Sequence, residues 1–327
     1  MNRSRRTVTK HLGAAMLAAG LYSPMQAALA QAWPTRPIRI VVGFAAGTPP
    51  DVFARIYGEH ASRTLGVPVV IENMPGAAGN LASAAGARSA PDGYTVLYNV
   101  SSAFTINPFV YANLPFDPAR DLTPVATTLR LGLVLISNPA FQARSVPEVV
   151  TLARQRPGTV SYGSYGVGAP THLIMELFKD RTGIEMLHVP YRTTPIPDLI
   201  GGQLNLALEP VPTAIPLITG GRVRALAYSG AQRHPTMPDV PTFAETVPGL
   251  SMTSWHGIWA PAATPPAVLD RLHTTLIAAS RDAEVQRRIR ELNIEPLGVS
   301  RAEMGEMIRR DASLFSAIVN RRNIRVD

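Results

Sequence analysis

Apolar and polar positions along the chain switch between two periods. Residues 38–42 read Ile-Arg-Ile-Val-Val, rich in β-branched side chains, and end at Gly43. That is the pattern of a buried parallel strand. Beyond Thr48 the spacing becomes helical, with Val52, Phe53, Ile56, Tyr57 and His60 on one face. Thr48 stands where a helix cap belongs, and Pro49, Pro50 and Asp51 suit a first turn. The alternation then repeats. Strands are predicted at 68–72, 94–98, 125–136, 160–162, 185–189, 204–208, 223–228 and 254–260. Helices are predicted near 81–89, 145–156, 264–281 and 283–293, with another after Pro170 and a last one from Ser300. Capping boxes are expected at Ser145 with Glu148 and at Ser300 with Glu303. A βαβαβ order of this kind implies doubly wound α/β sheets, with ligands at the carboxyl ends of the strands.

Two loops at such ends invite an anion. One is Ala45-Ala46-Gly47 and the other runs from Gly163 to Gly168; each leads into a helix with Pro in its first turn. Free backbone N–H groups and the positive end of a helix dipole accept an anion there without Lys or Arg. His172, in the first turn of the second helix, is a candidate contact. Trp255 and Trp259 read as core or hinge packing.

Enzymatic and metal readings fail on spacing. Ser164 has Tyr162 where a nucleophile elbow requires glycine. A dinucleotide fingerprint fails because Gly166 and Gly168 are followed by Thr171. The chain has no Cys and 7 His, none at i, i+4 spacing. No metal or cofactor is expected.

Composition adds scale and destination. With 327 residues, 46% of them hydrophobic, the chain can bury two α/β cores. Residues 1–30 look like an export signal: Ser4-Arg5-Arg6-Thr7-Val8-Thr9-Lys10 is Tat-like, and an apolar stretch too short to span a bilayer follows. Cleavage is expected near Ala30 or Ala32. Removing Arg3, Arg5, Arg6 and Lys10 lowers the formal charge from +8 to +4. The remaining basic residues are scattered, so no nucleic-acid partner is expected.

Several motifs in order then carry a resemblance: the 44–55 loop and helix, Val70-Ile71-Glu72-Asn73 with Pro75-Gly76-Ala77, and Ala90-Pro91-Asp92-Gly93-Tyr94. Tyr162-Gly163-Ser164 with Gly166 and Gly168, His188-Val189-Pro190-Tyr191, Asp198-Leu199-Ile200-Gly201-Gly202-Gln203 and Pro238-Asp239-Val240-Pro241-Thr242 complete the set. From Trp33 to the last helix the chain resembles the Bug family, the periplasmic solute-binding components of tripartite tricarboxylate transporters. The resemblance implies a type II periplasmic-binding-protein fold, two doubly wound α/β lobes joined by two crossing strands. It implies a small organic carboxylate as ligand, such as a di- or tricarboxylate or an aromatic acid, and membrane permease subunits as partners. Matching positions give Phe44, Ala46, Gly47, Thr48, Ser101 and Ser102 in lobe one as ligand contacts. In lobe two they give Ser164, Gly166, Thr171, His172, Tyr191 and Arg192. Lobe one is expected at 33–126 and 255–327, and lobe two at 127–254. Without a coiled coil or sustained apolar seam, a monomer is expected. Ligand presentation to a two-component sensor is a second reading of the same pocket.

Three departures from the family pattern fall at the expected rim. Ala45 stands for a Pro and Thr48 for a Gly, the stretch after Arg192 is shorter, and Glu209-Pro210 replaces an Asp-Asn type pair.

Overall fold

The computed structural model describes residues 33–326, so the export signal read at 1–30 lies outside the described residues. Two sheets organise the chain. In the first, β1 (Ile38–Val42) lies between β2 (Val69–Asn73) and β3 (Thr95–Val100), all parallel. β10 (Ser254–Pro261) joins β3 antiparallel, followed by β4 (Leu122–Leu131) and the short β11 (Glu295–Pro296). In the second, β6 (Ser161–Ser164) lies between its parallel partners β7 (Leu187–Pro190) and β8 (Leu206–Pro210). β5 (Leu133–Ser137) runs antiparallel between β8 and β9 (Arg224–Tyr228). Both sheets share a plan of a parallel trio, an antiparallel strand and a fifth strand, to which the first sheet adds β11 at its edge. This is the type II periplasmic-binding-protein arrangement.

Helices cover both faces of each sheet, as apolar parallel strands require. On the first sheet, α1 (Pro49–Leu65), α10 (Pro266–Arg281) and α11 (Ala283–Arg290) bury one face around Phe53, Tyr57, Leu272 and Ile289. The other face carries α2 (Asn80–Ala87) and α12 (Arg301–Arg321). On the second sheet, α5 (Val146–Gln155) and α6 (Pro170–Thr182) pack on one face, together with the short α9 (Phe243–Thr246). The other face holds α7 (Ile196–Ile200) and α8 (Val211–Thr219). Short helices α3 (Ser102–Thr105) and α4 (Asn107–Val110) follow β3. The core of β5, β6 and α6 also takes in Ile106 and Val110 of the α3–α4 segment and Phe315, Ile318 and Val319 of α12. One apolar core therefore reaches across both sheets.

The structure corrects several local expectations. The apolar run at 125–136 reads as one strand but is two. β4 pairs with β10 along its whole length, so residues 127–131 belong to the first sheet. The chain crosses at Gly132, where a Cβ would lie 2.2 Å from the Tyr228 ring. The return passes through Met252, whose N–H donates to the Ser229 carbonyl at 2.7 Å. Val52 is 36% exposed rather than on the buried face of α1. Thr48 has the backbone conformation of a cap, yet its hydroxyl donates to the Ala45 carbonyl at 2.6 Å. The box at Ser300 and Glu303 closes in both directions. Trp255 and Trp259 are buried: the Trp255 indole N–H donates to Asp311 at 3.0 Å, and Trp259 stacks on Phe104.

Candidate functional site

A cavity of about 350 Å³ lies between the sheets, at the carboxyl ends of their parallel strands. Its first wall comes from Phe44 after β1, Ala78 after β2, and Val100, Ser102 and Asn107 around β3. The second wall is the loop from Tyr165 to Thr171 after β6, with Pro210 after β8. The crossing segments supply the floor: Leu131, Leu133, Ser254 and His256. Among the described residues no Lys, Arg, Asp or Glu lines it, and most of its walls are apolar.

Anion-binding capacity comes from the backbone. The N–H groups of Phe44, Ala78, Ser102, Val167 and Thr171 donate to no protein atom among the described residues. Each follows a strand end or opens a helix, where such donors have no intrahelical acceptor. The turn that presents Ala78 is strained: Ala77 and Ala78 both have positive φ, 47° and 52°. Asn107 holds it, its amide donating to the Ala78 carbonyl at 3.2 Å and to Asn80 at 2.7 Å. Strain of this kind persists where surrounding contacts over-determine it, often beside a ligand.

In the first loop, an internal carboxylate already holds the position expected for the anion. Asp51 is 2% exposed and accepts from the Gly47 N–H at 2.9 Å, from Asn73 at 2.9 Å and from Arg55 at 3.0 Å. Burial pushes its pKa up, but the bonds from Arg55, Gly47 and Asn73 outweigh this and hold it below the ordinary carboxylate range. Asn73 also donates to the Phe44 carbonyl at 2.9 Å. Asp51 and Asn73 thus shape the loop, while the Gly47 N–H and Thr48 hydroxyl are spent within it. Ala46, Gly47 and Thr48 do not line the cavity. Gly47 has φ +80° with open space where a Cβ would go, so its glycine is required by the backbone and not by crowding.

The second loop has its own props. Ser164 is fully buried, its Oγ 2.6 Å from His188 Nε2 and accepting from the Gly166 N–H at 3.2 Å. The Gly168 N–H donates to His172 Nδ1 at 3.2 Å, and the Tyr165 N–H donates to the Thr171 hydroxyl at 3.1 Å. His172 stacks on His188 at 3.9 Å, and burial pushes the pKa of each down to about 4. Behind them, Glu176 accepts from Tyr162 at 2.6 Å and Lys179 at 2.8 Å. Gly168 has φ +76°, and a Cβ there would sit 3.0 Å from Val326. Gly168→Ala is expected to cost about 1–2 kcal/mol; urea unfolding with an unchanged midpoint would contradict this.

Of the residues singled out from sequence, Phe44, Ser102 and Thr171 line the cavity. Ser101 lies just beneath, its N–H donating to the Trp255 carbonyl at 2.8 Å. Ser164, Gly166 and His172 support the loop without lining the cavity. Tyr191 donates to Asp198 at 2.5 Å, and Arg192 is exposed on the loop after β7. Neither lines the cavity. Sequence reasoning missed Ala78, Asn107, Tyr165 and His256. Tyr165 lies inside the 163–168 loop singled out from sequence, and Ala78 directly follows the Pro75-Gly76-Ala77 motif; Asn107 and His256 carried no advance signal.

Comparison with known proteins gives this geometry a context. The family described as "Tripartite tricarboxylate transporter family receptor" matches residues 53–324. The chain belongs to this receptor family. Protein BugT of Bordetella pertussis is 34% identical, over 79% of this chain and 79% of its own length. Among solved structures, R. palustris Rpa4515 with adipate is 33% identical with a TM-score of 0.78, covering 90% of this chain and 99% of that one. MatC from Rhodopseudomonas palustris with bound malate is 26% identical with a TM-score of 0.74, covering 88% and 100%. The receptor family and these neighbours are solute-binding proteins, not enzymes.

Proposed function

We propose that this receptor captures a small carboxylate with an apolar body in the periplasm and delivers it to membrane permease subunits. The observation that carries the reading is the uncharged interlobe cavity with unspent N–H donors along its walls. Hydrogen bonds to a charged group are worth roughly 1.5–3 kcal/mol each, enough to hold one carboxylate without a salt bridge. Adipate and malate in the related structures support the same ligand class. Phe44, Ala78, Ser102, Val167 and Thr171 are the contacts, while Ser164, His172 and Asp51 position the loops. The receptor acts as a monomer, exported by the Tat-like segment.

Val167 is 43% exposed on the cavity wall, so a charge there is tolerated by the fold. Val167→Asp is expected to weaken adipate binding more than tenfold, about 1.4 kcal/mol, with little change in melting temperature. Unchanged affinity by calorimetry would remove this loop from the site.

The lobes we assign are 33–131 with 254–326, and 133–253, turning about Gly132 and the Met252–Ser254 return. Closure is a rigid-body rotation, and X-ray scattering should show compaction on saturation with adipate. Identical scattering with a bound ligand would contradict it.

A further inference from the structure

His256 is the one histidine among the cavity residues, and neither loop motif points to it. It lies on β10, 3% exposed, with its ring edge-on to Phe53 and Tyr98. Its Nδ1 is 3.1 Å from the Tyr98 hydroxyl. That hydroxyl is also 3.3 Å from the Thr128 hydroxyl. Tyr98 and Thr128 are both fully buried. The Thr128 hydroxyl has no other partner among the described residues.

Proton counting decides the direction of this chain. If Thr128 donates to Tyr98 and Tyr98 donates to His256 Nδ1, both buried hydroxyl protons are used. The reverse order leaves the Thr128 proton with no acceptor in a dry site, which is the costly arrangement. In the favoured order Nδ1 is the acceptor, so the ring proton sits on Nε2. Nε2 has no hydrogen-bond partner among the described residues, and it is not among the buried, unpartnered atoms. For a side chain this buried, the open space it reaches is the cavity it lines.

We propose that His256 Nε2–H is the floor donor of the site and reads an oxygen acceptor at the end of the ligand remote from its anchored carboxylate. The proposal rests on the carboxylate reading above and narrows it to carboxylates with a second oxygen group at the far end. Burial pushes the His256 pKa down to about 3, so the ring stays neutral. The donor therefore keeps one form throughout the physiological range. The other floor residues are Leu131, Leu133 and Ser254, and none of them accepts from Nε2, so a ligand lacking an acceptor there leaves the N–H unsatisfied.

The test has two parts. Long-range proton–nitrogen spectra of the ligand-free, histidine-labelled protein at pH 7 should show His256 as the Nε2–H tautomer; the Nδ1–H tautomer overturns the proposal. Calorimetry then compares adipate with hexanoate, which lacks the second carboxylate. The wild type should bind adipate at least tenfold more tightly. His256→Phe should abolish that ratio, and His256→Gln, whose amide places a donor near Nε2, should restore most of it. A purely structural role would weaken both ligands equally and leave the ratio intact, which overturns the proposal. If the wild type binds neither these acids nor benzoate or malate, the carboxylate reading falls and takes this one with it.

Discussion

Asp51→Ala is expected to destabilise the receptor by about 1–3 kcal/mol and to weaken adipate at least tenfold. The carboxylate is buried and serves three donors: the Gly47 N–H, the Asn73 amide and the Arg55 guanidinium. Removing it strands those donors; an unsatisfied buried group costs about 1–3 kcal/mol, but Gly47 is exposed and turns its N–H to water, so the half-buried Asn73 amide carries most of the loss. Arg55 is half exposed and recovers part of its solvation, which keeps the sum near the lower end. The functional loss follows from Asn73. It ties Asp51 to the Phe44 carbonyl, so without Asp51 the Phe44 wall loses its register. Asp51→Asn keeps the shape but donates from one side, and should fall between the two. Urea unfolding and calorimetry measure both quantities. Wild-type affinity in Asp51→Ala would mean that the loop does not depend on its internal anion.

The second large effect is loss of stability in acid. Burial lowers the pKa of His172 and His188 to about 4 and that of His256 to about 3. In the unfolded chain each returns to about 6.5. Above that value both states bind the same protons, and the stability these groups confer is fully present. As pH falls below about 6.5 the unfolded chain takes up protons first, so stability declines until the folded pKa values are passed. The His172 and His188 shifts are each worth on the order of 3 kcal/mol and the His256 shift on the order of 5, and the stacked His172–His188 pair contributes less than two independent sites. Acidic groups with lowered pKa, such as Glu176 and Asp51, act below the ordinary carboxylate range. Between about pH 6.5 and 4.5 the histidines therefore drive the fall, opposed among the described residues only by Glu209, whose pKa burial raises and which favours the folded state as it takes up its proton. Melting temperature should be level from pH 8 to 7 and fall steeply by pH 4; a flat profile would mean that these rings are hydrated.

What was legible in the sequence was whatever is set locally. The β1 run, its glycine turn and the proline-started α1 lie within one short stretch, and their order announced a doubly wound sheet. The Ser300–Glu303 box was legible for the same reason. The interior of the loops was not. Spacing marks Thr48 as a cap and Gly47 as an anion donor. Only folding brings Asn73, from β2, beside Asp51 and turns that acid inward. Gly132 is invisible as a crossing point because apolar residues continue on both sides, and Tyr228, which enforces the glycine, is distant in sequence. His256 was hidden in an ordinary strand. Its role depends on Tyr98 and Thr128 from two other strands, and on a cavity floor made where the sheets meet.

Backbone donors in an uncharged cavity are proposed to hold the ligand's carboxylate. Calorimetric titration of the receptor with adipate and with its neutral analogue hexane-1,6-diol separates recognition of charge from apolar fit. Adipate should bind saturably, one to one, and the diol should show no measurable binding. Equal binding of the two, or binding of none of adipate, hexanoate, benzoate and malate, would contradict this proposal.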